Sequence, residues 1–314
     1  MTHRLLILTR RAVEYHALVQ AAQLSNLAIT PMSDPAEAAA STIDADVALG
    51  EPSLLARVLP RARQLQWVQS TWAGVEPLLD PALRRDYLLT NACGVFGGLM
   101  SEYVFGYLLA HERRILPRYA SQQAGRWDPT PPGTLRGKQL GLLGVGSIGA
   151  ALARTAKHFG MRVKGYTRAS EDAPDVDAYF HGRDSIPAFA ADLDYLVCVM
   201  PNTSDTRQFV DAALLRALPA RAVLVNPGRG SVVAEDALAD ALSAGRLAGA
   251  VLDVFEQEPL PPEHVFWRAP NVVITSHTAA LSIPADIAAL FIANYRRWIR
   301  GEPLQCRVEF ARGY

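Results

Sequence analysis

Apolar residues in this chain fall into two patterns: short unbroken runs that end at turn-forming residues, and longer stretches in which they return every third or fourth position. The first pattern reads as buried strand and the second as helix packed on one face. In the amino-terminal part the runs predict strands over residues 5–8, 46–49, 65–68 and 88–90, with helices over 12–24 and from Ser53. Gly50 and the pair Ala73 and Gly74 mark turns between them, and the alternation predicts a small α/β unit. Gly97 and Gly98 form a hinge signal, after which residues 99–116 predict one long helix with Glu102, His111, Glu112 and Arg113 on its polar positions. Its apolar stripe serves a core or a seam between two copies. Beyond a Pro- and Gly-rich loop at 128–133, strands are predicted over 140–143, 162–166, 195–200, 222–226, 249–252 and 272–275. Helices over 150–159, 211–218 and 235–243 separate most of them, which implies a parallel sheet with right-handed crossovers.

The sharpest local signal sits at the first strand of that second series. Leu140, Leu142 and Leu143 stop at Gly144, Gly146 and Gly149, and Ala150 then opens a helical pattern followed by another strand. Three glycines so spaced divide the work: one makes a tight turn, one lets the backbone approach a pyrophosphate, and one lets helix and strand pack closely. The helix N-terminus adds free N–H groups and a positive dipole end. With strand, helix and second strand in place, the motif predicts a dinucleotide site. The second strand ends in Tyr166, Thr167 and Arg168, where an acidic residue would mark a free ribose 2′-hydroxyl. A hydroxyl and a guanidinium suit a 2′-phosphate, so the sequence leans to NADP(H) and leaves NAD(H) possible.

Ligands in open parallel sheets lie beyond the carboxyl ends of the strands. The residues just past those ends are Gly144 to Gly149, Thr167 with Arg168, Pro201, Arg229, Asp253 and His277. Such a set fits hydride transfer to a carbonyl carbon, which needs a cation for a substrate carboxylate and an acid for the developing alkoxide. Arg229 offers a planar fork that matches a carboxylate, and His277 offers an imidazole that changes charge near neutral pH. A neighbouring carboxylate favours the protonated ring. Glu258, Glu256 and Asp253 are candidates for it, and spacing alone does not choose among them.

Composition narrows the partners. Lys plus Arg balances Asp plus Glu at 31 each in 314 residues, so no bulk charge recruits nucleic acid or an acidic membrane surface. Half of the chain is apolar, enough for two cores. The first residues, MTHRLLILTRR, hold too short an apolar run for a signal peptide, and no run reaches membrane-spanning length, so a cytoplasmic protein is expected. Cys93, Cys198 and Cys306 show neither zinc spacing nor a disulfide framework; the expectation is three buried thiols and no metal.

The stretch NPGRGSVVAEDALADALSAGRLAGAVLDVFEQEPLPPE, from Asn226 to Glu263, with NVVITSHTAA from Asn271, GVGSIG upstream and VMPNTSDTRQFV from Val199, resembles the signature of the D-isomer specific 2-hydroxyacid dehydrogenases. PNTSDT, EPLPPE, the Trp267 segment, AALSIPA and the final ARGY are most similar to a branch that reduces glyoxylate and hydroxypyruvate. The resemblance implies a Rossmann-type doubly wound parallel sheet domain at 98–284. It also implies a smaller flavodoxin-like α/β substrate domain at 1–97, completed by 285–314 and closing on a hinge. It places the catalytic arginine, glutamate and histidine on Arg229, Glu258 and His277, with Glu258 paired to His277, and puts Asp253 against the nicotinamide carboxamide. Backbone amides of Ala73, Gly74 and Val75 would hold the substrate carboxylate, with Trp72, Leu99 and Met100 bordering the pocket. Ser147, Ile148, Pro201, Thr206 and Pro227 would complete the cofactor wall. Family members are usually dimers, which implies a homodimer. Two positions depart from the family pattern: Ser276 stands where proline commonly precedes the histidine, and Glu76 where aspartate follows the turn.

Taken together, these residues lead to an NADPH-preferring reductase of small 2-oxo acids. Two alternatives stay open at the level of sequence: a family dehydrogenase for a larger 2-oxo acid or 3-phosphoglycerate, and a dinucleotide-sensing protein without turnover.

Overall fold

The structure, a computed structural model, describes residues 2–34, 36, 43–168 and 170–314. The chain forms two compact units, Met1–Val95 with Ser282–Tyr314, and Phe96–Leu281.

The first unit contains β1 (His3–Leu8), α1 (Ala12–Ala21), β2 (Leu27–Met32), β3 (Val47–Gly50), α2 (Pro52–Val58), β4 (Trp67–Ser70) and β5 (Leu88–Thr90). The second contains α3 (Gly97–Glu112), α4 (Ile115–Gln123), β6 (Gln139–Leu143), α5 (Ser147–His158), β7 (Arg162–Tyr166), β8 (Ala178–Phe180) and α6 (Ile186–Ala190). It continues through β9 (Tyr195–Cys198), α7 (Ala212–Ala217), β10 (Val223–Asn226), α8 (Glu235–Ser243), β11 (Gly249–Leu252) and β12 (Val272–Ile274), after which α9 (Pro284–Trp298) returns to the first unit.

In the first unit the strand order is β2-β1-β3-β4-β5, and every pair is parallel. Trp67 is fully buried at the centre; its indole stacks on Phe291 of α9 at 5.2 Å, and its Nε1 donates to Thr90 Oγ1 at 2.8 Å. In the second unit the order is β12-β11-β10-β9-β6-β7-β8, again parallel throughout. Its central strands β9, β10 and β11 are buried throughout, with no alternation, because helices cover both faces and both must be apolar. The order reverses at β6, which places β9 on one side of the glycine turn and β7 on the other.

Three differences from the sequence reading have physical causes. The expected helix 99–116 is two helices, because Arg114 takes a left-handed φ of 55° and turns the chain between α3 and α4. Strand β2 and helix α9 were absent from the reading; β2 is an edge strand with no buried position, half of its residues exposed, and a proline, so it lacks the apolar run that marks a central strand. The expectation of three thiols is overturned: Cys93 and Cys306 are joined in a disulfide with Cα atoms 5.6 Å apart, and only Cys198 is free. Neighbouring backbone pairing explains their meeting, since Asn91 N donates to Cys306 O at 3.0 Å and Thr90 bridges Arg307. Residues 213 apart in sequence carry no local signal of that contact. Cys198 lies fully buried in β9, and burial pushes its thiol pKa well up, which keeps it inert. Among the described residues no helix is long and apolar enough to cross a membrane.

Candidate active site

The glycine turn after β6 shows three separate roles in its geometry. Gly144 has a φ of 98°, where an L side chain is strained, and it closes the turn against Val199. A Cβ on Gly149 would lie 2.3 Å from the Gly144 carbonyl oxygen, so α5 can approach β6 only with hydrogen there. A Cβ on Gly146 would meet nothing within 4 Å. The middle position is therefore not required by packing, and the space beside it is open at the N-terminus of α5, which no side chain caps. A polyanion fits that space, because a bare backbone there exposes helix N–H groups. Ser147 is exposed and Ile148 half-buried on the first turn of the same helix.

Two braced loops flank this turn. After β7, Thr167 is buried, its hydroxyl donating to Ser170 O at 2.9 Å, with His181 Nδ1 3.3 Å away; His181 in turn meets Glu171 at 2.6 Å. Hydrogen bonds to the Glu171 carboxylate and to Thr167 O hold the His181 pKa above its ordinary value. Arg168 is exposed and ion-paired to Asp205 at 3.1 Å. After β9, Pro201 is exposed while Thr206 is buried, its Oγ1 donating to Pro201 O at 2.7 Å and accepting from Thr203 N at 2.9 Å. The Thr206 hydroxyl thus shapes the loop from within.

At the end of β10 the backbone of Asn226, Pro227 and Gly228 delivers Arg229. The buried Asn226 amide brackets this turn, donating to Arg229 O at 3.0 Å and accepting from Gly228 N at 3.2 Å. Pro227 is buried, Arg229 is half-buried, and its Nη1 donates to Gly228 O at 2.8 Å. Gly230 permits a close approach of two strand-end loops: a Cβ there would lie 1.9 Å from the Phe255 carbonyl carbon. Arg229 is so held beside the loop that carries Glu258.

The residues after β11 and β12 form one assembly. Glu258 Oε2 meets His277 Nδ1 at 2.7 Å, and Glu258 Oε1 accepts from Phe255 N at 2.9 Å. Spacing left Glu258, Glu256 and Asp253 open; the geometry selects Glu258, because Glu256 pairs with Arg207 and Asp253 is consumed elsewhere. The Asp253 carboxylate, 1% exposed, accepts from the Thr275 hydroxyl, from Thr278 N at 2.9 Å and from Ala279 N at 2.9 Å. Its carbonyl accepts His277 N at 2.8 Å. These bonds clamp the loop in which His277 sits at a φ of 55°, a conformation that a non-glycine residue keeps only when its surroundings impose it. Thr275 spends its one proton on Asp253, so the Tyr103 hydroxyl, 2.8 Å away, donates to Thr275. Burial raises the Tyr103 pKa and keeps that donor protonated.

Sequence reasoning missed Tyr103, Asn226, Gly230 and Thr275. Thr275 alone had a local cue, a hydroxyl two residues before a strand-end histidine. Among the described residues no cluster of His, Cys, Asp or Glu is arranged to hold a metal ion.

In the first unit the turn after β4 is held by Ser70 Oγ, which donates to Trp72 O and accepts Trp72 N, both at 2.9 Å, and by Asn91, whose amide donates to Ala73 O at 2.9 Å. Trp72 is exposed, Ala73 and Gly74 are half-buried, and Val75 is buried. The N–H groups of Ala73, Gly74 and Val75 donate to no partner among the described residues. Three such donors in succession suit an anion.

Residues 105–279 match the model described as D-isomer specific 2-hydroxyacid dehydrogenase, NAD binding domain, and the chain belongs to that family of NAD(P)-dependent dehydrogenases. Within the family it is similar to glyoxylate/hydroxypyruvate reductase A of Escherichia fergusonii, 33% identical over 80% of this chain and 83% of the relative. Among solved structures, a family protein from Aeromonas salmonicida shares 40% identity with a TM-score of 0.93, over 99% of this chain and all of that one. An NADPH-dependent glyoxylate/hydroxypyruvate reductase from Sinorhizobium meliloti, in complex with NADP and sulfate, is 28% identical with a TM-score of 0.87 over the whole of both chains.

Proposed function

We propose that this enzyme reduces small 2-oxo acids, glyoxylate and hydroxypyruvate among them, to 2-hydroxy acids, with NADPH preferred over NADH. The observation that carries the reading is the His277–Glu258 pair at 2.7 Å, set at a strand end beside the loop of Arg229. When bound, the nicotinamide supplies the hydride that adds to the carbonyl carbon. Arg229 binds the substrate carboxylate and polarises the carbonyl with its planar guanidinium. Nδ1 of His277 is engaged by Glu258, so the proton given to the developing alkoxide is the one on Nε2. Glu258 fixes the orientation of the ring through Nδ1 and so aims Nε2 away from itself.

Asp253 is a positioning residue that holds the His277 loop, a reading supported by the three hydrogen bonds its buried carboxylate accepts from that loop. Gly144, Gly146 and Gly149 seat the pyrophosphate, with Ser147, Ile148, Pro201, Thr206 and Pro227 around the dinucleotide. Thr167 and Arg168 face the 2′-phosphate, a preference supported by the absence of an acid at the end of β7 and by NADP-bound relatives. The N–H groups of Ala73 to Val75, which meet no partner among the described residues, offer a seat for a carboxylate. A homodimer is supported by Ile115, Leu116, Tyr119 and Trp127, large apolar residues at least half exposed on and just after α4.

Initial rates with glyoxylate, hydroxypyruvate, pyruvate and phenylpyruvate, each with NADPH and with NADH, test the proposal. Fast turnover of the two smallest hydroxylated or aldehydic acids with NADPH is expected. Preference for phenylpyruvate, or tight NADPH binding without turnover of any acid, refutes it.

A further inference from the structure

The loops after β7 and β9 stand on opposite sides of β6, and the ion pair between Arg168 and Asp205 spans the carboxyl end of that strand, where the glycine turn lies. Neither end is a loose surface charge on a wandering loop. Arg168 follows Thr167, which is tied to Ser170 and His181, and Asp205 precedes Thr206, whose hydroxyl locks the 201–206 turn. The two side chains themselves stay largely exposed, at 59% and 73%. A dinucleotide whose pyrophosphate sits on the glycine turn and whose ribose reaches the end of β7 must pass the line between these two residues.

We infer that Asp205 is a specificity-determining residue that competes with the cofactor's 2′-phosphate for Arg168. The inference rests on the reading of Arg168 as the 2′-phosphate contact. Without that phosphate, the guanidinium is neutralised by Asp205 across the crevice. A 2′-phosphate, with up to two charges and three acceptor oxygens against the carboxylate's one charge and two, draws the guanidinium away. Part of the phosphate's interaction energy is then spent on replacing Asp205, and Asp205, left unpaired, repels the newcomer. NADH makes no demand on Arg168 and leaves the pair standing. Asp205 therefore narrows the gap between the two cofactors, and the enzyme retains access to NADH although no acid at the end of β7 recognises a free ribose.

The test is a fluorescence titration of NADPH and NADH against the wild type, D205N, R168A and the double variant. Both residues lie on the surface, and the amide is isosteric with the carboxylate, so folding is undisturbed. D205N is expected to bind NADPH roughly two- to fivefold more tightly, the factor that loss of one exposed ion pair allows, with NADH changed by less than about twofold. In the R168A background the same substitution should favour NADPH by a smaller factor, because the competition for the guanidinium is gone and only the direct repulsion is relieved. If R168A leaves the NADPH-to-NADH ratio unaltered, Arg168 does not read the 2′-phosphate and the underlying reading falls. If R168A lowers the ratio but D205N fails to raise it, or tightens both cofactors equally, the competition is refuted while the reading of Arg168 survives.

Discussion

Replacing Asp253 by asparagine distinguishes a residue that serves its own chain from one that serves the cofactor. The carboxylate is 1% exposed and receives the Thr275 hydroxyl and the N–H groups of Thr278 and Ala279. Asparagine keeps the shape but has one acceptor oxygen, and its NH2 faces at least one of the former donors. Hydrogen bonds to a charged group are worth about 1.5–3 kcal/mol each, and a buried donor left unmet costs about 1–3 kcal/mol. Losing one to two of the three bonds should destabilise the fold by about 2–5 kcal/mol. The damage should also reach catalysis, because these bonds hold His277 at its left-handed φ. Urea unfolding and steady-state kinetics on D253N measure both effects. The expected result is a lowered midpoint with kcat reduced at least about tenfold and the cofactor dissociation constant close to that of the wild type. Unchanged stability with weakened cofactor binding would refute the clamp and restore a direct contact with the nicotinamide carboxamide.

H277A should lower kcat by about 10²- to 10⁴-fold while NADPH binding survives, as transient kinetics and titration can separate. G146V should lose dinucleotide affinity with its melting temperature kept, whereas G149A should lose stability, since its Cβ would meet a carbonyl oxygen at 2.3 Å; the reverse order would undo the division of roles. The raised His181 pKa means its charged form is favoured by folding: that stabilisation is complete below about pH 6.5 and is lost as pH rises through the higher folded value. In NMR titrations E171Q should bring His181 back towards its ordinary pKa, and an unmoved curve would exclude Glu171 as the cause. Thiol titration of denatured, unreduced protein should count one free cysteine, and reduction should cost stability, up to about 5 kcal/mol if chain entropy alone acts; three free thiols would refute the bond.

What could be read from the chain before its structure was whatever rests on local rules. The glycine turn announces itself because turn, close approach and packing each demand the same residue within six positions. The buried strands of the second unit announce themselves because a doubly covered sheet admits only apolar runs. Arg114 was invisible because nothing local forbids helix there; the break depends on how the following loop returns, with Gly133 N donating to Glu112 O at 2.8 Å. Asp253 and Glu258 looked alike as acids near a histidine, and what separates them is the count of donors each meets. Tyr103 and Thr275 are 172 residues apart, and Cys93 and Cys306 are 213 apart, so neither pairing has a signature in spacing.

The Cys93–Cys306 bond has a topological consequence. The first unit is written in two pieces, and the whole of Phe96–Leu281 is inserted between them. A covalent link from Cys93 to Cys306 closes that insertion into a ring. When the inserted unit unfolds, or a protease nicks it, the two pieces of the first unit cannot drift apart, and their effective concentration stays that of a tethered pair. Oxidation thereby makes the smaller unit's integrity independent of the continuity of the larger one, and reduction couples the two again.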